Sequence, residues 1–360
     1  MKLVFAVDKL SFNDKDHIGV VKKVESQLRL FEKNGIDSSL CQYTWEGGYP
    51  QIEIDSDTDI LYFRRIESSV KLIVKLRELK RKSPKLRIIM EIPTYPFAAE
   101  ERGSISLKKK VNRCVGDILL KRYVDRLVLI SQQDVKKLYG IPAFCVKNGV
   151  DFDMVPLREI IDDNNVDNEI HMICVSGCYF WHGYERLIEG MHKYYQRGES
   201  LKKVVLHFVG EGSCLNDYIS LAERYGLKDD KIIFYGVKSG AELDEIYNKC
   251  DIAIECLGSH RKNIFLSSSL KSREYAAKGL PMVAANAIDI NVEKTEKYFS
   301  ILPADETAID VEGIIKFYHG IYDGKRKKQV ATEIRNEFFP LCDWNFVYKP
   351  VIDYMVGKEV

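Results

Sequence analysis

The chain has 360 residues, 46% hydrophobic and 30% charged, as expected for a globular protein that folds in water. This length exceeds one ordinary core and predicts two domains of about 150 to 200 residues each. The net charge is only +1, which disfavours nucleic acid as a partner. No apolar run approaches the roughly 20 residues that span a bilayer, and the short run at 2–7 predicts a buried strand, not a signal peptide.

Short apolar or β-branched runs alternate with amphipathic helical patterns along the chain. In the first half, the predicted strands are 2–7, 39–43, 59–63, 86–91, 126–130 and 144–147, and the predicted helices are 20–34, 69–82, 107–122 and 133–139. In the second half, the strands are 171–175, 203–209, 231–235, 252–255, 281–284 and 299–302, and the helices are 183–195, 215–225, 241–249, 270–278 and 311–322. This alternation predicts an α/β fold with parallel sheets and right-handed crossovers.

A domain boundary is predicted where this pattern restarts. The segment 161–169 is polar, acidic and without periodicity, which is typical of a linker. We therefore expect two Rossmann-like domains, 1–160 and 161–337. Open parallel sheets bind ligands at the carboxyl ends of their strands, and two such edges facing each other would form a central cleft.

Charge and cysteine distribution suggest where the protein works. Segment 71–87 carries eight basic residues and one acidic residue, Glu78. Two interpretations stay open: a solvated helix face, or a surface that contacts anionic lipid headgroups or a pyrophosphate-bearing acceptor. The nine cysteines are scattered, with no CxxC pair or zinc spacing, so we expect reduced thiols. Both features suit a cytoplasmic protein, peripheral at the inner face of the membrane on the second interpretation.

The segment 250–286 carries the strongest indication of binding chemistry. Ser269 suits a helix N-cap before Leu270, and the amide groups of such a helix start bind anions. Lys271 falls in the first turn, where a cation is unfavourable unless an anion also binds there. Glu274 follows on the same helix face. The pair could hold the diphosphate and the ribose of a nucleotide, or could be an ordinary surface pair.

The run SLKSREYAAKGLPMV resembles the donor-site signature of retaining glycosyltransferases of family 4, which have the GT-B fold. The resemblance assigns Glu274 to the nucleotide ribose. Family members carry a second Glu near the donor sugar, at the position that is Leu266 here. The preceding LGSHRKN resembles a branch found among bacterial surface-polysaccharide transferases, which implies that Arg261 and Lys262 lie near the donor phosphates.

Four further segments match this family in the expected order: VKNGVDF (146–152), VSGCYFWHGYERLIEGM (175–191), FVGEGSCLNDYI (208–219) and FYGVKSGAELDEIYNKCDIAIECL (234–257). In the second, Cys178 and His182 stand where typical members have a phosphate-binding Arg and Lys. His182 is either a phosphate ligand or a packed or capping histidine. Gly183 permits a tight approach at a helix start. By the resemblance, Gly236 borders the nucleobase.

The N-terminal domain is the acceptor-binding side in this fold. The resemblance places Gly19 near the donor phosphates, and we expect His17 to face the same cleft. Thr94 and Tyr95 follow the fourth strand and are acceptor-side candidates, although Tyr95 could equally pack. Many members have a His in this region and none is present here, so no catalytic residue is assigned. In this fold the last helix crosses back to the N-terminal domain, which we expect of 338–360.

The resemblance implies transfer of a sugar, with retention, from a nucleotide-diphosphate sugar to a glycan or lipid-linked acceptor in capsule, exopolysaccharide or other surface-polysaccharide assembly. No metal or other cofactor is expected, because no His/Asp metal cluster is recognised in the sequence and fixed cations with helix-end amides can stabilise a leaving diphosphate. Two alternatives stay open: a nucleotide-sugar epimerase, and a non-catalytic GT-B partner subunit, which Leu266, Cys178 and His182 make conceivable.

Overall fold

The computed structural model describes residues 1–13, 18–64, 68–95, 106–131, 133–160, 169–198 and 202–358. The chain divides into two compact units, Met1–Asn148 with Trp344–Val360, and Gly149–Asp343. The boundary therefore falls at 148/149, not at the expected 160/161. The reason is packing: Phe152 is buried in the core of the second unit, and the Val150 N–H donates to the Cys342 carbonyl at 2.8 Å.

The first unit is built on a seven-stranded sheet. Its elements in chain order are β1 (Lys2–Asp8), α1 (Lys9–Asn13), α2 (Ile18–Lys33), β2 (Asp37–Tyr43), β3 (Trp45–Glu46), β4 (Tyr49–Pro50), β5 (Ile60–Arg64), α3 (Val70–Lys82), β6 (Arg87–Tyr95), α4 (Leu107–Leu120), β7 (Arg126–Ser131), β8 (Lys137–Leu138) and β9 (Ile141–Val146). The strand order is β2-β1-β5-β6-β7-β9-β8, and only β8 runs antiparallel to its neighbour.

The central strands of this sheet are buried on both faces, as their continuous apolar runs predict. Along β1, Leu3, Phe5 and Val7 enter one core, whereas Val4 and Ala6 enter the core on the opposite face. This alternation follows from the two-residue period of a strand.

The helix predicted at 133–139 is wrong. Lys137–Leu138 instead forms the edge strand β8, which pairs antiparallel with the start of β9. Tyr139 and Gly140 both have positive φ, 53° and 76°, as a tight hairpin turn requires. Pairing with a neighbouring strand outweighed a short helical pattern.

The second unit contains a six-stranded parallel sheet. Its elements are β10 (Glu169–Val175), α5 (Glu185–Tyr195), β11 (Lys203–Val209), α6 (Leu215–Arg224), β12 (Ile232–Phe234), α7 (Gly240–Tyr247), β13 (Ile252–Ile254), a 3-10 turn (Ser259–Lys262), β14 (Leu266–Ser267), α8 (Leu270–Ala277), β15 (Met282–Ala284), β16 (Ala287–Ile288), a 3-10 turn (Glu296–Tyr298), β17 (Phe299–Ile301), α9 (Val311–Tyr322) and α10 (Lys327–Cys342). The strand order is β12-β11-β10-β13-β15-β17, with every neighbouring pair parallel.

This order is that of a Rossmann fold, in which the third, second, first, fourth, fifth and sixth strands lie side by side. The connections change direction between β10 and β13. Ligands of such sheets bind beside the carboxyl ends of the strands at that point. The fold therefore predicts where to look for a site in the second unit.

After α10 the chain returns to the first unit as α11 (Trp344–Val347) and α12 (Lys349–Met355). Trp344, Tyr348 and Val351 are buried in the core that contains Phe5 of β1. The return begins at Trp344, not at 338, because Phe338 and Cys342 belong to the core of the second unit. None of the described helices has both the length and the apolar character needed to cross a membrane.

Candidate functional site

The candidate site lies at the carboxyl ends of β10 and β13. Ser176 follows β10, and Glu255 follows β13. The Tyr275 hydroxyl of α8 joins the two strands, because it accepts from the Val175 N–H at 3.0 Å and donates to the Ile254 carbonyl at 3.3 Å. The first turns of α8 are thereby held beside the point where the strand connections change direction.

Ser269 is the N-cap of α8, as predicted. Its Oγ accepts from the Lys271 N–H at 3.1 Å and donates to Glu255 Oε1 at 2.8 Å. The hydroxyl therefore caps the helix and fixes the neighbouring carboxylate. Because the Lys271 N–H already donates to this cap, an anion bound at the start of α8 would need other hydrogen-bond donors.

The Lys271 ammonium lies at the centre of this group. Its Nζ is 3.5 Å from Glu255 Oε2, 3.5 Å from Ser176 Oγ and 3.4 Å from the Tyr184 hydroxyl. The side chain is 22% exposed. Burial lowers the pKa of Lys271, but Glu255 and nearby thiols raise it, and the net pKa lies above its usual value. Lys271 is a fixed cation that solvent still reaches.

Glu255 was not singled out from the sequence. Its side chain is only 2% exposed, and besides Ser269 it accepts from the Cys256 N–H at 3.0 Å. An acidic residue directly after the buried strand DIAI was the available signal, since the carboxyl ends of parallel strands are where ligands bind. The structure adds that this carboxylate is the counter-ion of Lys271.

Glu274 lies one turn along α8 and is half-buried. One carboxylate oxygen accepts from the hydroxyl of buried Tyr247 at 3.4 Å. Leu270, also named as a donor-site residue, is the first residue of α8 and is half-buried. The predicted helix start thus brings Ser269, Lys271 and Glu274 onto one short element.

His182 lies in the loop between β10 and α5. Its Nδ1 accepts from the Tyr179 N–H at 3.2 Å, which leaves the ring proton on Nε2. Burial, followed by the charges of Lys271 and Lys262, lowers the pKa of His182 to about 2. The ring stacks on Tyr184 with centroids 5.6 Å apart. His182 is a neutral donor close to Lys271.

Gly183 explains how this loop comes so near to the loop after β13. It has φ +68°, and a Cβ there would lie 2.7 Å from the Gly258 nitrogen. Only glycine avoids both the strained backbone and the clash. Gly183 therefore positions His182, as the close approach predicted from the sequence requires.

The loop after β11 packs equally tightly. A Cβ at Gly210 would lie 1.9 Å from the Ser176 carbonyl oxygen, and one at Gly212 would lie 2.5 Å from the Cys178 nitrogen. Gly236 has φ +65°, and its carbonyl accepts from the Gly210 N–H at 2.8 Å. Gly236, which the resemblance places beside the nucleobase, is thus hydrogen-bonded to the G-x-G turn that Gly210 begins.

Cys178 cannot replace the charge of the arginine expected in this loop. The side chain is fully buried, and burial raises the pKa of its thiol to about 12. At neutral pH the position is therefore uncharged. Leu266 of β14, where the resemblance expects a carboxylate, is 45% exposed.

Arg261 and Lys262 each already interact with neighbouring side chains. Arg261 Nε donates to Glu306 Oε1 at 3.0 Å, and its guanidinium also pairs with Glu185 at 2.5 Å. It lines a cavity of about 520 Å³ beside α5 and α6. Lys262 Nζ stands 3.3 Å from the centre of the Trp181 ring. Of the two, Lys262 is near enough to His182 to lower its pKa.

Four residues of the first unit were named from the sequence: His17, Gly19, Thr94 and Tyr95. Gly19 is exposed in the first turn of α2, and Tyr95 ends β6 half-buried against the core. The side chain of Thr94 and all of His17 lie outside the described residues. Tyr95 thus packs partly against the core, and its contact with an acceptor stays a prediction.

Arg273 is a positioning residue that the sequence analysis missed. It is fully buried on α8 and pairs with buried Asp289 at 2.5 Å. Its guanidinium also donates to the Ser268 hydroxyl at 2.9 Å and to the Ser269 carbonyl at 3.3 Å. Arg273 thus holds the turn that enters α8. An SREY run gives no sign that its arginine points inward.

No group of three or more His, Cys, Asp or Glu side chains is arranged to hold a metal ion within the described ranges. The polar groups that surround Lys271 are hydroxyls, one carboxylate and a neutral imidazole. Such a set suits an anionic ligand that carries its own hydrogen-bond acceptors.

Residues 158–309 match the family model described as Glycosyl transferases group 1. This stretch is therefore similar in sequence to group 1 glycosyltransferases. The matched stretch contains Ser176, His182, Glu255, Lys271 and Glu274, and therefore the whole candidate site. No curated protein matches the chain in sequence.

The whole chain is similar to solved glycosyltransferase structures, each over 99% of its length. They include the glycosyltransferase from Rickettsia africae ESF-5 (13% identity, TM-score 0.60, 99% of that chain covered), Anabaena HepE in complex with UDP and glucose (14%, 0.60, 100%) and WaaG, a glycosyltransferase involved in lipopolysaccharide biosynthesis (12%, 0.60, 100%). At these identities the likeness shows the fold, which is the GT-B fold.

Proposed function

We propose that this protein is a retaining glycosyltransferase of family 4 whose group 1 domain binds a nucleotide-diphosphate sugar beside α8. The observation that carries the proposal is the position of Lys271, a half-buried ammonium at the carboxyl ends of β10 and β13. Glu274, one turn deeper, would accept hydrogen bonds from the ribose. Gly236 and the G-x-G turn would lie under the base.

The leaving diphosphate would be held without a metal ion. Lys271 would supply a fixed charge, and His182, whose ring stacks on the same Tyr184 that Lys271 approaches, would supply a neutral Nε2–H donor. Lys262 adds a second cation near His182. Preorganised donors of this kind are each worth about 3 kcal/mol at a developing negative charge. Arg261, which is held by two carboxylates, serves to fix the loop.

The bond changes follow from this arrangement. The bond between the anomeric carbon and the diphosphate oxygen breaks, and its electron pair goes to the oxygen that Lys271 stabilises. The acceptor hydroxyl forms the new glycosidic bond, and its proton passes to the departing phosphate. Since the leaving group is itself the base, the described part of the chain needs no separate carboxylate for that step.

We further propose a glycan or lipid-linked acceptor in surface-polysaccharide assembly, with the chain acting in the cytoplasm at the inner face of the membrane. Two observations support this. WaaG, one of the similar structures, is described as acting in lipopolysaccharide biosynthesis. All nine cysteines are free, as in a reducing compartment.

The first experiment is a thermal-shift screen over nucleoside diphosphates, starting with UDP because it is bound in the HepE structure. A ligand at 100 times its Kd stabilises the protein by about 2.7 kcal/mol. We expect stabilisation by one diphosphate and its loss in Lys271→Ala and Glu274→Ala. Stabilisation by none of the nucleotides would refute the donor assignment.

A non-catalytic partner subunit stays the alternative that the neutral Cys178 and exposed Leu266 favour. Such a subunit could bind a nucleotide but would not consume the sugar donor. Release of the free nucleoside diphosphate from a nucleotide sugar, measured with an extracted lipid-linked acceptor, separates the two functions. An epimerase would instead change the sugar without needing an acceptor.

A further inference from the structure

One face of α4 in the first unit is an exposed apolar stripe. It consists of Leu107 (78% exposed), Val111 (54%), Val115 (38%) and Ile118 (58%). Spacings of four, four and three residues place these side chains within about 80° of one another around the helix. Single exposed aliphatic residues are ordinary, but a continuous row of four along a helix indicates a surface that is covered in use.

The opposite face of α4 is the one that packs against the protein. Asn112 Oδ1 accepts from the Val70 N–H of α3 at 3.2 Å. A Cβ at Gly116 would lie only 2.6 Å from the Ser69 nitrogen, so the two segments are in direct contact there. Leu120 on this face is buried. The orientation of α4 is therefore fixed, with the α4 stripe turned away from the fold.

Basic residues flank the α4 stripe. Residues 106–122 contain six basic side chains and one acidic side chain, Asp117. By helical geometry, Lys108 lies about 20° beyond one edge of the stripe and Lys110 about 60° beyond the other. Neither these two nor Lys109 forms an ion pair within the described part of the chain.

The basic segment 71–87 is less available than its sequence indicated. Lys80 pairs with Asp125 at 2.8 Å, and Lys75 and Lys82 both pair with Glu78. Lys71 donates to the Gly47 carbonyl, and Arg87 donates to the Met355 carbonyl. Five of the eight charges thus have partners inside the first unit. On α4, in contrast, Lys108 and Lys110 have no ion pair among the described residues and lie beside a row of exposed apolar side chains.

We propose that α4 docks the protein onto an anionic lipid bilayer, with the α4 stripe in the headgroup region and its lysines on the lipid phosphates. An amphipathic helix with aliphatic residues on one face and lysines at its borders has the pattern of interfacial helices. A protein partner fits less well, since lysine is depleted at protein interfaces and the stripe lacks the aromatic and arginine anchors of such contacts.

The test is co-sedimentation of the full chain with phosphatidylcholine vesicles, with and without phosphatidylglycerol, at low and high salt. We expect binding only to the anionic vesicles, weakened by salt. Val111→Glu with Ile118→Glu should abolish it. Lys108→Gln with Lys110→Gln should weaken partitioning roughly 25-fold, at about fivefold per lysine.

A matched control is Met154→Glu with Val292→Glu, two exposed apolar residues of the second unit, which should bind vesicles like the parent chain. Binding that is absent, or that all variants retain equally, would overturn the proposal. So would concentration-dependent dimerisation that disappears in Val111→Glu with Ile118→Glu, because that result assigns the face to a second copy. No nucleotide is present in these assays, so their failure leaves the donor assignment untouched.

Discussion

At the scale of single residues, the ion pair of Lys271 and Glu255 sets both the stability of the site without a ligand and its affinity for a diphosphate. A half-buried ammonium costs free energy unless a counter-charge lies near it. Glu255 supplies that charge at 3.5 Å and is itself held by Ser269 and the Cys256 amide. The same carboxylate would repel an incoming diphosphate. The pair therefore stabilises the empty site at the expense of affinity.

This balance predicts that Glu255→Gln will act in opposite directions on stability and binding. The melting temperature of the free protein should fall, because Lys271 loses its counter-ion. The affinity for the nucleoside diphosphate should rise by about fivefold, since roughly 1 kcal/mol of repulsion is removed. Isothermal titration calorimetry and thermal unfolding measure the two effects.

Glu223→Gln is the control, because it removes the same charge from an exposed pair with Lys228 on the surface of the second unit. It should leave the affinity unchanged. If Glu255→Gln weakens diphosphate binding, then Glu255 is itself a ligand and the electrostatic account is wrong.

At the scale of elements, the candidate site depends on loops that approach one another without side chains between them. Gly183 lies against Gly258, and Gly210 lies against Ser176. These contacts bring the loops after neighbouring strands together, and Lys271 lies near enough to His182 to lower its pKa. A methyl group at any of these positions would push the loops apart.

Gly183→Ala should therefore lower the stability of the protein more than the same substitution at a glycine that has positive φ but open space around it. Gly226, with φ +65° and nothing within 4 Å of a Cβ, is the matched reference. Both variants bear the backbone strain, of about 1 kcal/mol or more. In Gly183→Ala, the steric overlap with Gly258 should destabilise the protein by a further amount of about 1 to 3 kcal/mol. The variant should also bind the nucleotide more weakly.

Thermal unfolding of both variants, with and without the diphosphate, measures this difference. Equal losses of stability in the two proteins would show that the close approach at Gly258 is not rigid.

At the scale of the whole molecule, the returning C-terminal segment is joined to the first unit through a buried polar cluster. Glu91 of β6 accepts from Lys23 at 2.9 Å and from Gln27, Tyr62 and Tyr348 at 2.7 Å each. Although burial raises the pKa of Glu91, Lys23 and the other partners lower it to about 2, so the carboxylate stays charged. The cluster ties α2, two strands and the C-terminal segment together.

Tyr348→Phe should destabilise the protein by about 1 to 2 kcal/mol, because a hydrogen bond to a buried charge is lost while the ring packing is kept. Tyr354→Phe is the control, since no hydrogen bond of its hydroxyl exists among the described residues. Urea unfolding followed by tryptophan fluorescence compares them, as Trp344 contacts the Tyr348 ring at 5.0 Å between centroids. Equal stability of the two variants would show that the cluster does not hold the segment.

Most of the fold was readable from local patterns. The strands at the centre of each sheet are long apolar runs, and amphipathic helices such as α3 and α9 have one apolar face, so their periods identify them. The errors occurred where pairing across the sheet decides the outcome, as at β8, and where core packing sets a domain boundary, as at Phe152. Neither can be read from a single segment.

By itself the sequence determined that the chain alternates strands and helices, that a serine-capped helix follows the buried strand DIAIE, and that Lys271 and Glu274 share its first turns. Local periodicity and capping chemistry are short-range, so neighbouring residues suffice. Only the tertiary structure decided that Glu255 neutralises Lys271, that Arg261 is occupied by carboxylates, that Arg273 points inward and that the α4 stripe is left uncovered. Those outcomes depend on which distant segments meet, and therefore on distances that no local pattern contains.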